Sequence, residues 1–248
     1  MILMIYSAGS NARFGGQIKS LSPINFTLSV LQHNVYLALD HVSHVFIVIQ
    51  KGDRQWYPDF NHPKVEYLEI ESGLGSGHAV LKSLEICPIR HEEVCVMWGD
   101  SILADAEILK ELKTSDKDEN FVFPVFWTRD PYVEFKTFVV GHSEVRAQSV
   151  CYSRLGQTSD AGYTDRCVFK ADFEHLYSAL LAIHTAYWNG DHYETPTNDL
   201  EFLSVVNYLY NIGYAATVYA TQHQVFSFNT QQELVDAIAN FKTLTQVP

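Results

Sequence analysis

The sequence is short of cysteine and has no long hydrophobic run. Its four cysteines form no C-x-x-C pair, and a chain of 248 residues does not need disulfides to fold, so we expect four free thiols in a reducing compartment. No apolar run approaches the roughly 18 residues of a membrane span, and the short apolar start lacks the basic lead-in of a signal peptide. We therefore expect a cytoplasmic protein with no membrane partner.

Basic residues are also scarce. The 17 Lys and Arg residues face 29 Asp and Glu residues, and the formal net charge is -12. A surface this acidic repels a phosphate backbone, so we expect no nucleic-acid partner, although a local basic pocket is compatible with this charge. Hydrophobic residues make up 47% of the chain, enough for a sizeable core. We expect a single domain over residues 1–248, and a homo-oligomer is left open.

Short apolar runs alternate with amphipathic stretches in the first half of the chain. This alternation predicts a mostly parallel sheet with helices on both faces, whose ligands bind at the carboxyl ends of the strands. The second half is more mixed, so the whole chain is predicted to be a single α/β fold with a mixed central sheet flanked by helices. The strands predicted in the first half are 2–6, 44–50, 65–70 and 93–98. Candidate helix caps are Asn25 or Thr27 and, in the second half, Asn198 or Asp199.

The first candidate site is the stretch SAGSNARFGGQIK, which follows the strand 2–6. Ala8, Gly9 and Ser10 are small residues whose backbone N–H groups can cradle an anion. Arg13 can bind phosphate oxygens through paired hydrogen bonds, and Lys19 can place a mobile charge on them. These residue types favour a phosphate-binding loop, and a surface turn with two solvated cations is the alternative.

Two further stretches carry candidate residues. In GSGHAV, the glycines Gly75 and Gly77 allow a base or ribose to lie against the backbone, and Ser76 can cap the following helix or donate to a ligand. His78 is expected to be a packed or capping residue, with a catalytic role as the alternative. In WGDSIL, Asp100 follows a buried strand and a glycine, which is a rigid place for a Mg²⁺ ligand, while a helix-capping role is the alternative.

The order of these motifs resembles that of a known family. SAGSNARFGGQIKSLSPI is similar to the A-G-x-G-[ST]-R-F…P-K-x-L-x-P-[IV] signature of sugar-1-phosphate nucleotidylyltransferases, also called nucleotide-sugar pyrophosphorylases. GSGHAV resembles the G-T-G-H-A of the UDP-N-acetylglucosamine pyrophosphorylase branch. WGDSIL resembles the family's [NG]-G-D-x-L, and FSFNTQQEL resembles its G-[VI]-N-[TN]-x-x-[ED]-L. The resemblance implies a single Rossmann-like (GT-A-like) nucleotidyltransferase domain.

The resemblance also implies roles for individual residues. Arg13 would bind the β and γ phosphates of an NTP, and Lys19 would contact the α-phosphate as pyrophosphate leaves. Asp100 would hold Mg²⁺, and Asn229 would be the second metal ligand. The implied reaction is Mg²⁺-dependent transfer of a nucleotidyl group from an NTP to a phosphorylated small molecule. With a sugar 1-phosphate as the acceptor, the products are an NDP-sugar for nucleotide-sugar biosynthesis and pyrophosphate.

The nucleoside and acceptor sides are less defined by the motifs. By resemblance, Gly75 and Ser76 would border the base and ribose. Many relatives carry a Glu-Lys pair that touches the sugar and its phosphate, and the matching place here reads Ser153-Arg154. Arg154 and Asp165 are therefore candidate acceptor-binding residues, with an ordinary surface pair as the alternative. The motifs identify neither the NTP nor the acceptor.

The opening loop departs from the family pattern at three positions. Asn11 replaces a glycine, Ala12 removes a hydroxyl, and Ile18 replaces the proline before the lysine. These departures keep open a non-catalytic domain that binds a nucleotide or sugar nucleotide in a regulatory role. A cytidylyltransferase acting on a non-sugar phosphate is another alternative. A glycosyltransferase of related fold is disfavoured, because such enzymes usually carry D-x-D where Asp100 is followed by Ser101 and Ile102.

Overall fold

The computed structural model describes residues 1–9, 14–71, 73–115, 120–141 and 143–245. Two compact units divide the chain: the first unit is Met1–Gly73, Val94–Thr114 and His223–Pro248, and the second unit is Leu74–Glu93 and Ser115–Gln222. The strands are β1 (Ile2–Tyr6), β2 (Val45–Gln50), β3 (Val65–Ile70), β4 (Glu93–Trp98), β5 (Ser101–Leu103), β6 (Phe121–Arg129), β7 (Val133–Val140), β8 (Glu144–Tyr152), β9 (Ala161–Asp165), β10 (Val168–Asp172), β11 (Ala216–Ala220) and β12 (Val225–Ser227). The helices are α1 (Val30–Ala38), α2 (Ser76–Ile86), α3 (Glu107–Thr114), α4 (Phe173–Tyr187), α5 (Ser204–Asn211) and α6 (Gln231–Thr245).

The first unit contains a parallel sheet in the order β4-β1-β2-β3. Each residue of β1 is buried, as is every residue of β2 except the last, which is why both sequences are continuous apolar runs. A separate antiparallel ladder joins β5 to β12. A buried cluster that includes Phe14, Ile24, Phe228 and Phe241 fixes this ladder against α6.

The second unit is built mainly from antiparallel strands. Its strands lie in the order β11-β8-β7-β9-β6-β10, and β11 also pairs in parallel with β6. Helix α4 packs against both α2 and α5, and α5 packs on β8. Aromatic rings form much of the core of this unit. The rings of Phe121, Phe169 and Phe202 pack against one another, with centroids 5.2 to 6.2 Å apart.

The strand pattern predicted for the first half is confirmed. Strands β1, β3 and β4 have the predicted bounds, β2 begins one residue later at Val45, and the four pair in parallel. The α/β class with mixed strands and flanking helices is also confirmed. The single domain over residues 1–248 stays a prediction.

The predicted start of α1 was wrong. The helix begins at Val30, and Ser29 caps it in a capping box with Gln32. The side chain of Asn25 instead accepts hydrogen bonds from the N–H groups of Thr27 and Leu28 at 2.9 Å each. Asn25 therefore closes its own local turn, which leaves it unable to cap the helix.

The predicted start of α5 was wrong as well. This helix begins at Ser204, and neither Asn198 nor Asp199 caps it. The preceding chain is held elsewhere, because Leu200 donates a hydrogen bond to the Leu74 carbonyl at 2.9 Å and accepts one from Gly77 N–H at 2.7 Å. These contacts hold the segment in a non-helical conformation, so the first helical turn comes later.

The four cysteines are free thiols, as predicted. Within the described ranges, none of the helices combines the length and apolar character that a bilayer crossing requires.

Candidate functional site

Asp100 follows β4 where this strand ends beside β1. Gly99 N–H donates a 2.8 Å hydrogen bond to the Tyr6 carbonyl. A Cβ atom at residue 99 would lie 2.7 Å from that carbonyl oxygen, so only glycine allows the two backbones to approach this closely. The approach places Asp100 at the carboxyl edge of the parallel sheet, where ligands bind in folds of this class.

The ladder of β5 and β12 brings Asn229 to Asp100. Ser101 pairs with Ser227 in this ladder, and Phe228 N–H donates to the Asp100 carbonyl at 3.0 Å. The residue that follows Phe228 is therefore held beside Asp100, although the two lie in opposite halves of the sequence.

Helix α1 holds the other edge of β5. The side-chain amide of Asn34 is fully buried; it donates to the Ser101 carbonyl at 2.6 Å and accepts from Leu103 N–H at 3.1 Å. The side chain thus satisfies two backbone groups of a strand only three residues long. Asn34 therefore fixes the strand that follows Asp100.

Lys19 joins the two predicted metal ligands. It begins a one-turn 3-10 helix, Lys19–Leu21, and its Nζ atom lies 2.9 Å from Asp100 Oδ2 and 3.3 Å from Asn229 Oδ1. The side chains of Lys19 and Asp100 are only 16% and 27% exposed. This partial burial makes their charges interact more strongly than in a fully solvated pair. Three residues predicted to act together are thus brought together.

The donor set of this cluster fits a hard divalent cation. A carboxylate oxygen and an amide oxygen converge on a point that the Lys19 ammonium approaches, and oxygen atoms are the ligands Mg²⁺ prefers. In the part of the chain that the structure describes, no group of three or more His, Cys, Asp or Glu side chains could hold a metal ion. Asp100 and Asn229 could therefore supply two ligands, and substrate phosphates and water would complete the shell.

The predicted phosphate loop is described in part. Ala8 and Gly9 follow Ser7, whose N–H continues the β1 pairing with a 2.8 Å bond to the Val48 carbonyl. A Cβ atom at Gly9 would meet nothing within 4 Å. Ser10 and Arg13 lie outside the described residues, as do Asn11 and Ala12. The nucleotide-binding roles of Ala8, Gly9 and Ser10 and the catalytic role of Arg13 stay predictions.

The start of α2 in the second unit is occupied by another segment of the chain. Gly75 has a φ of 100°, and a Cβ atom there would lie 2.4 Å from the Leu200 carbonyl oxygen. Ser76 Oγ accepts from Phe202 N–H at 2.9 Å and donates to Glu201 Oε2 at 3.3 Å. These contacts account for the glycine and the serine without a ligand. Nucleotide binding by Gly75 and Ser76 therefore stays a prediction that the packing does not require.

Arg154 is paired with an acid that the sequence did not indicate. Its guanidinium forms an ion pair with Glu201, and its Cζ atom lies 5.2 Å from the centre of the Tyr152 ring. Glu201 also accepts the Ser76 hydroxyl, so one carboxylate joins the start of α2 to Arg154. Burial, reinforced by Glu201, raises the pKa of Tyr152 above its ordinary value. The acceptor-binding role of Arg154 stays a prediction.

Asp165 does not pair with Arg154. Its carboxylate accepts the backbone N–H of Cys167 at 2.7 Å, which closes the turn after β9 where Cys167 has a φ of 60°. Burial raises the pKa of Asp165. The structure thus gives Asp165 a local structural contact, and its predicted role towards the acceptor is not tested.

His78 is a packing residue, as the sequence analysis expected. It is 8% exposed, and its Nδ1 atom lies 2.7 Å from the Tyr193 hydroxyl. His184 Nδ1 lies 2.7 Å from the same hydroxyl, so Tyr193 donates to one ring and accepts from the other. Burial, with the nearby charge of Lys82, lowers the pKa of His78 to about 4.

A family model described as the MobA-like NTP transferase domain matches residues 3–186, well over half of the chain. The chain belongs to this family. The resemblance inferred from the motifs is therefore confirmed, and the chain is an enzyme of the nucleotidyltransferase type. No curated protein sequence matches this transferase significantly.

Several solved structures share its fold. UDP-glucose pyrophosphorylase complexed with UDP-glucose has a TM-score of 0.75 and 12% identity, over 98% of each chain. The inositol-1-phosphate CTP transferase from T. maritima has a TM-score of 0.70 and 15% identity, over 97% of this chain and 96% of its own. HddC from Yersinia pseudotuberculosis has a TM-score of 0.67 and 14% identity, over 97% and 99%. The predicted Rossmann-like nucleotidyltransferase fold is thereby confirmed.

Sequence reasoning missed residues of this transferase that hold others in place, among them Asn34 and Glu201. Asn34 is a polar residue in the middle of a helix, and its complete burial has no sequence signal because its partners lie more than 60 positions away. Glu201 follows the candidate caps Asn198 and Asp199 and so fell within the helix they were expected to begin, and its contact with Ser76 spans 125 positions. No local pattern could have found either contact.

Proposed function

We propose that this transferase moves a nucleotidyl group from an NTP to a phosphorylated small molecule, with a sugar 1-phosphate as the favoured acceptor. The observation that carries the proposal is the cluster of Lys19, Asp100 and Asn229 at the carboxyl edge of the parallel sheet. The cluster combines one mobile cation with two oxygen ligands. A site that binds a triphosphate with its metal ion requires groups of these kinds, and the family match supports this use of the cluster.

The reaction needs little covalent work from the protein. An oxygen of the acceptor phosphate attacks the α-phosphorus of the NTP, a new oxygen–phosphorus bond forms, and the bond to the bridging oxygen breaks. Pyrophosphate leaves with that electron pair. Lys19 would neutralise charge that develops at the α-phosphate, and Arg13 is proposed to hold the outer phosphates. Such reactions depend on in-line positioning and charge stabilisation.

Mg²⁺ is part of the proposal. Asp100 and Asn229 would hold it, and the divalent cation would supply positive charge that neutralises the phosphates. A cytoplasmic location is also proposed, and the four free thiols are compatible with a reducing compartment.

The proposed acceptor carries hydroxyl groups besides its phosphate, as a sugar 1-phosphate does. Two solved structures of the same fold are a UDP-glucose pyrophosphorylase and an inositol-1-phosphate CTP transferase. In this chain, Arg154 offers a guanidinium that matches phosphate oxygens, and Glu201 offers a carboxylate that can accept from hydroxyl groups. Both residues belong to the second unit, where they form an ion pair.

The test combines each of the common NTPs with Mg²⁺ and a panel of sugar 1-phosphates, inositol phosphates and phosphorylated amino alcohols. We expect pyrophosphate release with at least one pair, and a fall in kcat/KM of about 100-fold or more for Asp100→Asn, which removes one charged metal ligand. Asp40→Asn, at an exposed acid after α1, should keep full activity.

Two outcomes would contradict the proposal. Pyrophosphate release that is equal in the Asp100→Asn variant would remove this cluster from the reaction. NTP binding with no turnover over the whole panel would favour the non-catalytic alternative, for which the loop departures at Asn11, Ala12 and Ile18 are the sequence argument.

A further inference from the structure

Three hydroxyl groups meet just beyond the carboxyl end of β1. Ser7 Oγ lies 2.5 Å from Ser20 Oγ and 2.7 Å from Tyr57 Oη, and Tyr57 Oη also lies 3.2 Å from the carbonyl oxygen of Ser7. All three residues are buried, with exposed fractions of 9% for Ser7, 1% for Ser20 and 5% for Tyr57. The motifs pointed to none of these side chains.

One arrangement, with one proton on each hydroxyl, satisfies all of these contacts at once. The Ser7 carbonyl can only accept, so the Tyr57 phenol donates to it. The Ser7 hydroxyl then donates to the phenol oxygen, and the Ser20 hydroxyl donates to Ser7. Burial raises the pKa of Tyr57, so the phenol keeps the proton that this chain of donors requires at neutral pH.

The network joins the two ends of one loop. Ser7 immediately precedes Ala8 and Gly9, and Ser20 immediately follows Lys19. Tyr57 comes from a different part of the first unit, 50 positions from Ser7, where it follows the one-turn 3-10 helix Arg54–Trp56. It is therefore an external support that both ends of the loop share.

We infer that Tyr57 is a positioning residue for nucleotide binding, which sets the distance between Ala8–Gly9 and Lys19 before the NTP arrives. The inference rests on the proposed function, because it assumes that these residues contact the triphosphate. A loop whose ends are already fixed loses less conformational freedom when its ligand binds. Loss of the phenol hydroxyl should therefore weaken binding of the NTP more than it slows the chemical step.

Tyr57→Phe tests the inference, with Tyr67→Phe as the matched control. The two rings lie in one aromatic cluster, with centroids 5.9 Å apart, and Tyr67 donates its hydroxyl to the Pro58 carbonyl at 2.6 Å. Both variants thus lose one buried or half-buried hydroxyl, but only Tyr57→Phe releases Ser7. We expect KM for the NTP to rise about three- to tenfold in Tyr57→Phe, the span of one hydrogen bond, with kcat changed less than twofold. Tyr67→Phe should leave both constants as they are.

A double variant separates positioning from a general loss of stability. In a Ser7→Ala background, which already lacks the bond from Ser7 Oγ, Tyr57→Phe should raise KM by a smaller factor than it does in the unmodified chain. Hydrogen exchange of the nucleotide-free protein gives a second measure that needs no activity. The amides of Ala8, Gly9 and Lys19 should exchange faster in Tyr57→Phe than in Tyr67→Phe.

The outcomes distinguish the two proposals. If the unmodified chain binds no NTP, the proposed function fails, and the nucleotide part of this inference fails with it. If the unmodified chain binds an NTP and Tyr57→Phe matches Tyr67→Phe in KM and in amide exchange, the inference alone is overturned. Equal losses of thermal stability in both variants, with unchanged KM, would likewise assign Tyr57 a merely structural role.

Discussion

The ammonium of Lys19 lies between the two oxygen atoms that we assign to a metal ion. It is 2.9 Å from the Asp100 carboxylate and 3.3 Å from the Asn229 side-chain oxygen. A divalent cation held by the same oxygens would repel this ammonium. Lys19 would then be released towards the α-phosphate, where its charge is needed. The same residue should thus oppose metal binding in the free protein and support the reaction.

Replacing Lys19 with Met should therefore have two opposite effects. Loss of the cation should lower kcat by about 100-fold, as for other groups that stabilise transition-state charge. It should also strengthen Mn²⁺ binding to the nucleotide-free protein by about three- to tenfold, because one like charge has been removed at a partly exposed site. Stopped-flow or steady-state assays measure the first effect, and Mn²⁺ titration followed by electron paramagnetic resonance measures the second.

Lys51→Met is the control for this pair of measurements. Lys51 forms a surface ion pair with Glu71 and is 66% exposed, so its removal should change neither kcat nor Mn²⁺ affinity. Weaker Mn²⁺ binding in Lys19→Met would show that Lys19 organises the metal ligands and does not compete with the metal.

Single residues differ in how well their sequence context identifies them. Lys19, Asp100 and Asn229 were found because each lies in a motif of fixed local spacing, and the fold then brought them together. Tyr57 and Glu201 were missed because their contacts are defined only by the folded chain. A lone tyrosine after an exposed turn has the same local sequence whether or not its hydroxyl is buried against a loop.

Among the structural elements, β5 shows how a very short strand is stabilised by its neighbours. Three residues cannot supply a stable pairing by themselves, and β5 is held on one side by β12 and on the other by the Asn34 side chain. Asp100 directly precedes this strand, so a well-held β5 also fixes the position of Asp100. Its stability is therefore linked to the geometry of the candidate site.

Asn34→Leu should destabilise the protein and impair the site together. The leucine has the same branched shape and the same number of heavy atoms, although it is larger, and it leaves the Ser101 carbonyl and the Leu103 N–H buried without partners, at a cost of about 1–3 kcal/mol for each group. We expect a loss of about 3 kcal/mol in the free energy of urea-induced unfolding. We also expect weaker Mn²⁺ binding, because Asp100 lies next to the released strand.

The same exchange at Asn211, an exposed position at the end of α5, provides the comparison. Asn211→Leu should change the unfolding free energy by less than about 0.5 kcal/mol, as is usual for surface positions. An Asn34→Leu variant that is as stable as Asn211→Leu would mean that water or another group replaces the lost hydrogen bonds.

Strands and helices were predicted correctly where their own residues determine their bounds. The bounds of β1 and β4 follow from apolar runs that end in polar or glycine residues, and β3 follows from the alternation of apolar and acidic residues. The start of α5 follows instead from distant contacts, since Leu200 is held by Leu74 and Gly77. The pairing of β5 with β12 is likewise invisible in either short sequence. Local pattern cannot carry this information, because a remote backbone is the deciding partner.

At the scale of the whole molecule, alternating strands and helices were enough to predict the α/β class and the parallel sheet of the first unit. The antiparallel arrangement of the second unit was not predicted in detail. Its strand order, β11-β8-β7-β9-β6-β10, departs strongly from the order of the strands along the chain. Periodicity shows that a strand is present but does not identify its neighbours.

The stability of the whole chain should depend on pH through His78. This ring is buried in a network with Tyr193 and His184, and the charged groups near it are Lys82 and Glu85. Its pKa in the folded protein is about 4, against an ordinary value of 6.5. Between these two values the unfolded chain binds a proton that the folded chain does not. The folded state therefore loses stability as the pH falls from about 6.5 towards 4 and has the full contribution of His78 above that range.

Each unit of pKa difference corresponds to about 1.4 kcal/mol, so His78 should account for about 2 kcal/mol over this range after relaxation of the site is allowed for. His78→Gln removes the titrating group and keeps a hydrogen-bonding side chain beside Tyr193. Urea unfolding of both proteins at a series of pH values should give a shallower decline in the free energy of unfolding for His78→Gln between pH 6.5 and 4.

The carboxyl groups of Asp165 and Asp199, whose pKa values are raised mainly by burial, titrate in both proteins and cancel in the difference. His91→Gln, at an exposed loop position, should follow the unmodified chain. Parallel curves for His78→Gln and the unmodified protein would mean that the buried network takes up a proton on His78 without losing stability.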